Sequence, residues 1–415
     1  MNIWFVHKNF PGQYRRLAPF FAKRRDCSVV GIGEVIRQRT EGARHYTYEA
    51  PEPSSPGTHG YVWNLETAVR RGIEAARLAL KLKQQGLRPD IVCSHPGWGD
   101  TLYFREVFPD AKFLSYQEFF YRPAGSDLGF DPEFAGKSKL DAMCRVRTKN
   151  AVNLLSLDLA DWNVCPTHWQ RAQFPEEFQP KMSVIHDGID TKVARPDRAA
   201  KMSLKGRLPL SLSTHDEVIT FSVRNLEPYR GFHIFMRALP ELMRRRPKAH
   251  FLVAGGDEVS YGIRLPEGMT YRQMLFEEVR ERIDADRLHF LGRLPYEQFL
   301  TVLQISSAHV YLTYPFVLSW SMLEAMAAEC LVVASQTPPV EEVLVDGENG
   351  LLFDFFSPEA LSETVCRALD DRDLARTLRK NARATIVANY DFESVCLPRQ
   401  VELIEQVASG TLPAS

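Results

Sequence analysis

The sequence predicts an α/β protein of two Rossmann-like doubly wound domains facing across a cleft. Three observations predict it. Short apolar runs of strand length alternate with longer segments of helical period almost throughout, the signature of a parallel sheet covered by helices on both faces. The alternation occurs twice, over residues 1–189 and 216–390, while residues 190–215 lose periodicity and gain Pro, Lys and Arg. At 415 residues, the chain exceeds what one hydrophobic core usually organises. The expected organisation is therefore a first domain over 1–189, a connection over 190–215, a second domain over 216–390, and a C-terminal helix over 391–415 packing back toward the first.

In the first half, strands are expected at NIWFVH (2–7), CSVVGIG (27–33), DIVCSH (90–95), KFLSYQ (112–117) and WNVCP (162–166). MSVIHDG (182–188) reads as a last strand and hinge. Helical periodicity lies between them, at 12–25, 64–86, 99–107 and 138–160. EAPEPSSPGTHG (49–60) is a Pro/Ser/Gly loop. In the second half, strands at 217–224, 249–256, 287–293, 309–314, 331–335 and 350–353 alternate with helices at 231–245, around 269–283, at 295–305, and a short one between 314 and 331 that carries Glu324. After residue 357 the pattern is helical to about Ser409.

Composition removes several function classes. Lys and Arg total 51 against 52 Asp and Glu, so no global field draws the chain to nucleic acid. The seven cysteines are scattered without a CxxC, which argues against a disulfide framework or zinc knuckle and for a reducing compartment. The first residues form a strand rather than a signal peptide, and no apolar run reaches bilayer length. A cytoplasmic location is expected.

The most informative stretch is TYPFVLSWSMLEAMAAECLVVAS (313–335). A polar turn with Ser319, Trp320 and Ser321 opens a short helix carrying Glu324, and an apolar strand follows. A helix N-terminus concentrates free amides and the positive end of the macrodipole, which suits a phosphate. Glu324, one turn in, can accept from sugar hydroxyls. The pair suits a nucleotide sugar, with diphosphate on the amides and ribose on the acid. Ser321-x-x-Glu324 also fits a capping box, in which the acid only satisfies a backbone donor.

With RNLEPYRGF (224–232), FLVAGGDE (251–258), HFLGRLPYEQF (289–299), EAMA (324–327) and PPVEEVLVDGENGLLF (338–353), the second half resembles the donor domain of family-4 glycosyltransferases, retaining enzymes of the GT-B fold. HKNFPGQYRRLA (7–18), SHPGWGDTLYFREVFPDA (94–111), SYQEFFYR (115–122), PTHWQRAQFP (166–175) and IHDGID (185–190) extend the resemblance to the first half. It implies a basic pair on the donor diphosphate, assigned to Arg224 and Arg230, and the donor ribose on Glu324. Gly255 and Gly256 fall at a turn near the nucleotide, Phe290 and Gly292 at the end of a base-binding strand, and Glu342 beside the GxxGLL-like turn. Core or turn roles are the alternatives for the last three. The family carries two acids with seven residues between them; the first falls on Phe316, so that acid is missing.

In the first half the resemblance places a flexible loop at Gly12, whose amide would face the reacting centre. His95 ends a strand at the carboxyl edge where ligands bind, and Glu118 occupies a strand end where many relatives place a His. Both are candidates for contact with sugar or acceptor. Trp98, Asp100 and Tyr121 are expected on the acceptor side, with a helix cap as the alternative for Asp100. Arg15, Arg16, Lys23, Arg24 and Arg25, with Leu17, Phe20 and Phe21, form a basic amphipathic stretch suited either to the inner face of an anionic cell membrane or to solvent. Asp284-x-Asp286 matches a metal-binding DxD by letters only.

The resemblance thus implies a glycosyltransferase moving a sugar, with retention, from a UDP- or GDP-sugar to a glycan, lipid-linked or small-molecule acceptor in surface polysaccharide biosynthesis. No cofactor, no metal for chemistry and no nucleic-acid partner are expected. Phe316 keeps open a non-catalytic nucleotide-sugar-binding partner subunit, and the fold keeps open a phosphorylase or epimerase.

Overall fold

The computed structural model describes residues 1–136, 138–204 and 210–411. The chain divides into two compact units. The first comprises Met1–Leu128, Gly136–Asp187 and Cys396–Ser415, and the second Gly129–Ala135 with Gly188–Val395.

The first unit is built on a seven-stranded parallel sheet in the order Arg44–Thr47, Ser28–Gly33, Asn2–Val6, Ile91–Ser94, Lys112–Tyr116, Trp162–Cys165, Met182–Val184. The central strand shows why its sequence is apolar throughout. Ile3 and Phe5 face a core shared with Leu403, Ile404 and Val407 of helix Leu397–Ser409. Trp4 and Val6 face the opposite core, shared with Ala75, Ala79 and Leu82 of helix Trp63–Gln84. A strand covered on both sides has no polar face to alternate.

Three expectations change here. Arg44–Thr47 is an edge strand of mostly polar residues, RHYT, with no apolar run to announce it. The segment 12–25 is not one helix but a turn at Gly12–Arg15 and a helix at Leu17–Ala22. Leu17 and Phe21 are buried in the core and Phe20 is partly buried, and Arg24 donates to Asp26 and Glu405, so the apolar side chains of this stretch are largely turned inward. The segment 138–160 breaks into Lys139–Lys149 and Ala151–Leu159 at Asn150. The Asn150 side chain accepts from Tyr121 N and donates to Tyr121 O, a local bond that competes with helix continuation.

The second unit carries a six-stranded parallel sheet in the order Leu288–Gly292, His250–Gly256, Val218–Asn225, Ala308–Tyr311, Val332–Ser335, Leu351–Phe353. Counted along the chain, the first sheet runs 3-2-1-4-5-6-7 and the second 3-2-1-4-5-6, so the strand order reverses beside the first strand of each. Residues 190–215 are not a plain connection. Lys201–Leu204 pairs antiparallel with Leu210–Ser213, and Leu212 is buried against Val218, Leu252 and Val302; residues 205–209 lie outside those described. Gly129–Ala135 also belongs to this unit: Asp131 accepts from His233 and from the Tyr314 hydroxyl, and Phe130 packs on Tyr314 and Phe355. Among the described residues no helix is long and apolar enough to cross a membrane.

Candidate functional site

In open α/β sheets, ligands bind beyond the carboxyl ends of strands near the reversal of strand order. In the second unit those ends enclose a cavity of about 400 Å³, with Arg224, Gly255, Gly292, Arg293, Ser319 and Ser321 in its wall. Each comes from a different consequence of the fold. Arg224 is exposed one residue before the end of the first strand, and its side chain makes no hydrogen bond or ion pair with another described residue. Arg293 follows the strand Leu288–Gly292 and donates to Asn225 Oδ1 at 2.9 Å and Glu258 Oε2 at 2.6 Å. Gly256 makes room for this arrangement. A Cβ there would lie 2.6 Å from Arg293 Nε and 2.7 Å from Asn225 Oδ1, closer than real contacts allow.

The motif helix runs Trp320–Ala327 with Ser319, not Ser321, as its N-cap. The free-amide expectation for 319–321 needs correction. Ser319 N donates to the Tyr311 hydroxyl at 3.0 Å, and Ser321 N to Ser319 Oγ. The two serine hydroxyls bond each other at 2.9 Å at the wall of the cavity, so this corner presents hydroxyls to a ligand. Trp320 is half-buried against the core beneath. Glu324 is buried, is not itself among the residues that line the cavity, and accepts at Oε1 from the Tyr296 hydroxyl at 2.8 Å. With the cap at Ser319, the capping-box register is not the one formed.

Arg230 is not part of the cavity wall. It is buried, and Nη1 donates to Thr313 Oγ1 at 2.7 Å and Val317 O at 3.1 Å. Its guanidinium lies 5.8 Å from the ring centres of Tyr261 and Phe316. Phe316, where the missing acid would stand, is buried against Tyr229 and Tyr261. Arg230 thus ties down the 313–317 loop within an aromatic box. Phe290, partly buried, packs between Phe232 and Phe276 at the edge of the core, and Glu342 caps the C-terminus of the helix Pro338–Glu341 and is not among the lining residues. Arg293 and Tyr296 were not singled out from sequence, although both lie in the stretch HFLGRLPYEQF; a cation directly after a strand-ending glycine was the available signal.

In the first unit, His7, His95 and Glu118 stand after the strands Asn2–Val6, Ile91–Ser94 and Lys112–Tyr116. His95 is sandwiched between Trp98, at 4.5 Å, and Tyr116, at 5.6 Å, with His7 edge-on to it. His95 Nδ1 accepts from Gly97 N, which turns the buried Nε2 toward Glu118 Oε2, 3.6 Å away and beyond hydrogen-bond reach. Burial first, and then the neighbouring His95, push the His7 pKa down to about 3. His7 was overlooked because a lone histidine after a strand carries no spacing signal.

Gly12 sits against this cluster with φ +49°, and a Cβ would fall 2.3 Å from His7 Nε2. Gly12→Ala should therefore destabilise the first unit by roughly 1–3 kcal/mol through overpacking and left-handed strain; an unchanged urea midpoint would contradict this. Asp100 is corrected: it is fully buried, accepts from the Tyr48 hydroxyl, and has its pKa raised by burial, so it faces no acceptor. Tyr121 packs under Lys149 at 3.5 Å and beside Phe119.

Asp284 accepts from Asp286 N and pairs with Arg287, a turn rather than a metal motif. Asp131, Glu133 and His233 have metal-like spacing, but both Glu133 oxygens accept from Arg237, whose charge opposes a cation. No metal is assigned.

Residues 25–194 match the Glycosyl transferase family 4 group and residues 211–385 match Glycosyl transferases group 1. The chain is 29% identical over 196 residues to a D-inositol 3-phosphate glycosyltransferase of Corynebacterium efficiens, covering 46% of this chain and 43% of that relative. It spans less than half the length of the first such relatives. A glycogen synthase of Mycobacterium tuberculosis is 26% identical over 364 residues, covering 86% and 78%. Among solved structures, sucrose-phosphate synthase from Thermosynechococcus elongatus superposes with a TM-score of 0.74 at 18% identity, covering 99% of this chain and all of that one. Anabaena HepE, solved in complex with UDP-glucose, gives 0.65 at 14%, covering 99% of both. At these identities the structures speak to the fold alone.

Proposed function

The chain belongs to the family-4 glycosyltransferases of the GT-B fold, and from that premise we propose that it transfers a sugar, with retention, from a UDP- or GDP-sugar to a hydroxyl acceptor. The observation that carries the reading is the second unit's cavity, where Arg224 and Arg293 stand at strand ends beside the Ser319 and Ser321 hydroxyls. In this reading the two guanidinium groups and the hydroxyls hold the diphosphate, and Glu324 accepts from the ribose. Arginine suits the first task because its planar fork donates paired bonds. As the sugar leaves, charge grows on the diphosphate, and cations already in place lower that barrier.

Arg230 acts indirectly, by fixing the loop that leads into Ser319. His95 and Glu118 serve the acceptor: Glu118 accepts from its hydroxyl, and the buried Nε2 of His95, 3.6 Å from Glu118 Oε2, faces the same place. No carboxylate nucleophile and no metal are assigned. The acceptor class of glycan, lipid-linked sugar or small molecule, and a place in surface polysaccharide biosynthesis, rest on the family likeness.

The test is a thermal-shift panel of nucleoside diphosphates and their sugars. A ligand at a hundred times its Kd adds about 2.7 kcal/mol of stability, enough to rank donors. Arg224→Ala should abolish most of that shift for every diphosphate alike; an undiminished shift would remove the phosphate assignment. Phe316 favours one second reading, a nucleotide-sugar-binding subunit without turnover. It would give the same shifts but no release of diphosphate with any acceptor.

A further inference from the structure

Glu324 is held by a residue that nothing in the motif announces. Tyr296 opens the helix Tyr296–Gln304, directly after the cavity-lining turn Gly292, Arg293, Leu294. Its hydroxyl donates to Glu324 Oε1 at 2.8 Å. Its ring stacks on Phe299 one turn on, at 6.2 Å and 29° between planes, and Phe299 lines the same cavity. The two partners differ in setting: Glu324 is 6% exposed and Tyr296 39%.

Burying a carboxylate is costly unless donors meet it, and a phenol hydroxyl supplies one. The donor is also stiff. A tyrosine has only two side-chain torsions, and stacking on Phe299 restrains the ring, so the hydroxyl stays in place and the carboxylate orients to it.

We propose that Tyr296 is a positioning residue, holding the Glu324 carboxylate aimed so that it accepts from the ribose diol of a nucleoside diphosphate. The proposal rests on the ribose reading of Glu324. It makes ribose recognition a property of two helices, Tyr296–Gln304 and Trp320–Ala327, that converge beside the cavity.

The experiment is calorimetric titration of UDP and GDP, and of their 2′- and 3′-deoxy forms, into the full-length wild type, Tyr296→Phe and Glu324→Gln. Phenylalanine keeps the ring and its stacking and removes only the hydroxyl. The wild type should bind a ribonucleotide about tenfold more tightly than at least one deoxy analogue, the typical worth of a hydrogen bond to a charged group. Tyr296→Phe should lose most of that discrimination, bind the deoxy form as the wild type does, and keep its melting temperature. With a donor substrate its KM should rise and kcat hold.

Equal wild-type affinity for ribo and deoxy forms would defeat the ribose reading and the inference with it. Discrimination lost in Glu324→Gln but intact in Tyr296→Phe would leave the ribose reading standing and overturn the role of Tyr296. Equal weakening of all ligands in Tyr296→Phe, with a lowered melting temperature, would show a packing role and overturn it too.

Discussion

Replacing Glu324 by Ala should weaken binding of every nucleoside diphosphate by about a hundredfold, because two hydroxyls lose a charged acceptor and such bonds contribute about 1.5–3 kcal/mol each. The fold should tolerate the change. The Tyr296 hydroxyl that the carboxylate leaves behind belongs to a half-exposed side chain that water can reach. Glu324→Gln should fall between the two, since an amide oxygen still accepts but carries no charge. Titration of UDP and GDP reads the effect directly. Arg224→Ala gives the contrast: it should weaken inorganic pyrophosphate as well, whereas Glu324→Ala should leave pyrophosphate binding unchanged. Affinity for nucleoside diphosphates that survives the loss of Glu324 would detach this helix from the nucleotide.

The second large effect is acid sensitivity. His7 has its pKa lowered to about 3, and His186 and His309 to about 4, in each case chiefly by burial. An unfolded imidazole titrates near 6.5. Each folded-state value is depressed, so the unfolded chain binds protons first as pH falls. The stabilisation is therefore fully present above pH 6.5 and is lost progressively down to about pH 4 for His186 and His309, and about 3 for His7. At pH 5 the loss is roughly 2 kcal/mol for each imidazole.

His7 and His186 belong to the first unit and His309 to the second, so both should weaken. Urea midpoints at pH 7 and pH 5 measure this, and equal midpoints would refute it. His309→Leu isolates one contribution. The Thr220 hydroxyl that bonds His309 Nδ1 at 2.8 Å keeps Ser306 as a second partner, and the difference between the two pH values should shrink for the second unit alone.

Strands and helices were legible in the sequence because their signals are local. A run such as NIWFV is apolar at every position since both faces of its sheet are covered, and that coverage needs no knowledge of which helix supplies it. Where a tertiary bond competes with periodicity the reading fails, as at Asn150, whose side chain claims the backbone of Tyr121. An edge strand such as Arg44–Thr47 is invisible for the opposite reason: it buries too little to need an apolar pattern.

The site divides along the same line. That a carboxylate sits one turn into a helix after the fourth strand of the second sheet follows from residue order alone, and so does the presence of cations at strand ends. Which cations meet the cavity does not. Arg224 and Arg230 lie six residues apart, yet one reaches the cavity and the other turns into an aromatic box, while Arg293 arrives from another strand to take Asn225 as its partner. Chain order sets the backbone path through short-range periodicity; the direction of each long side chain is settled by whichever distant atoms, Thr313 for one and Asn225 for another, complete its hydrogen bonds once the sheet has closed.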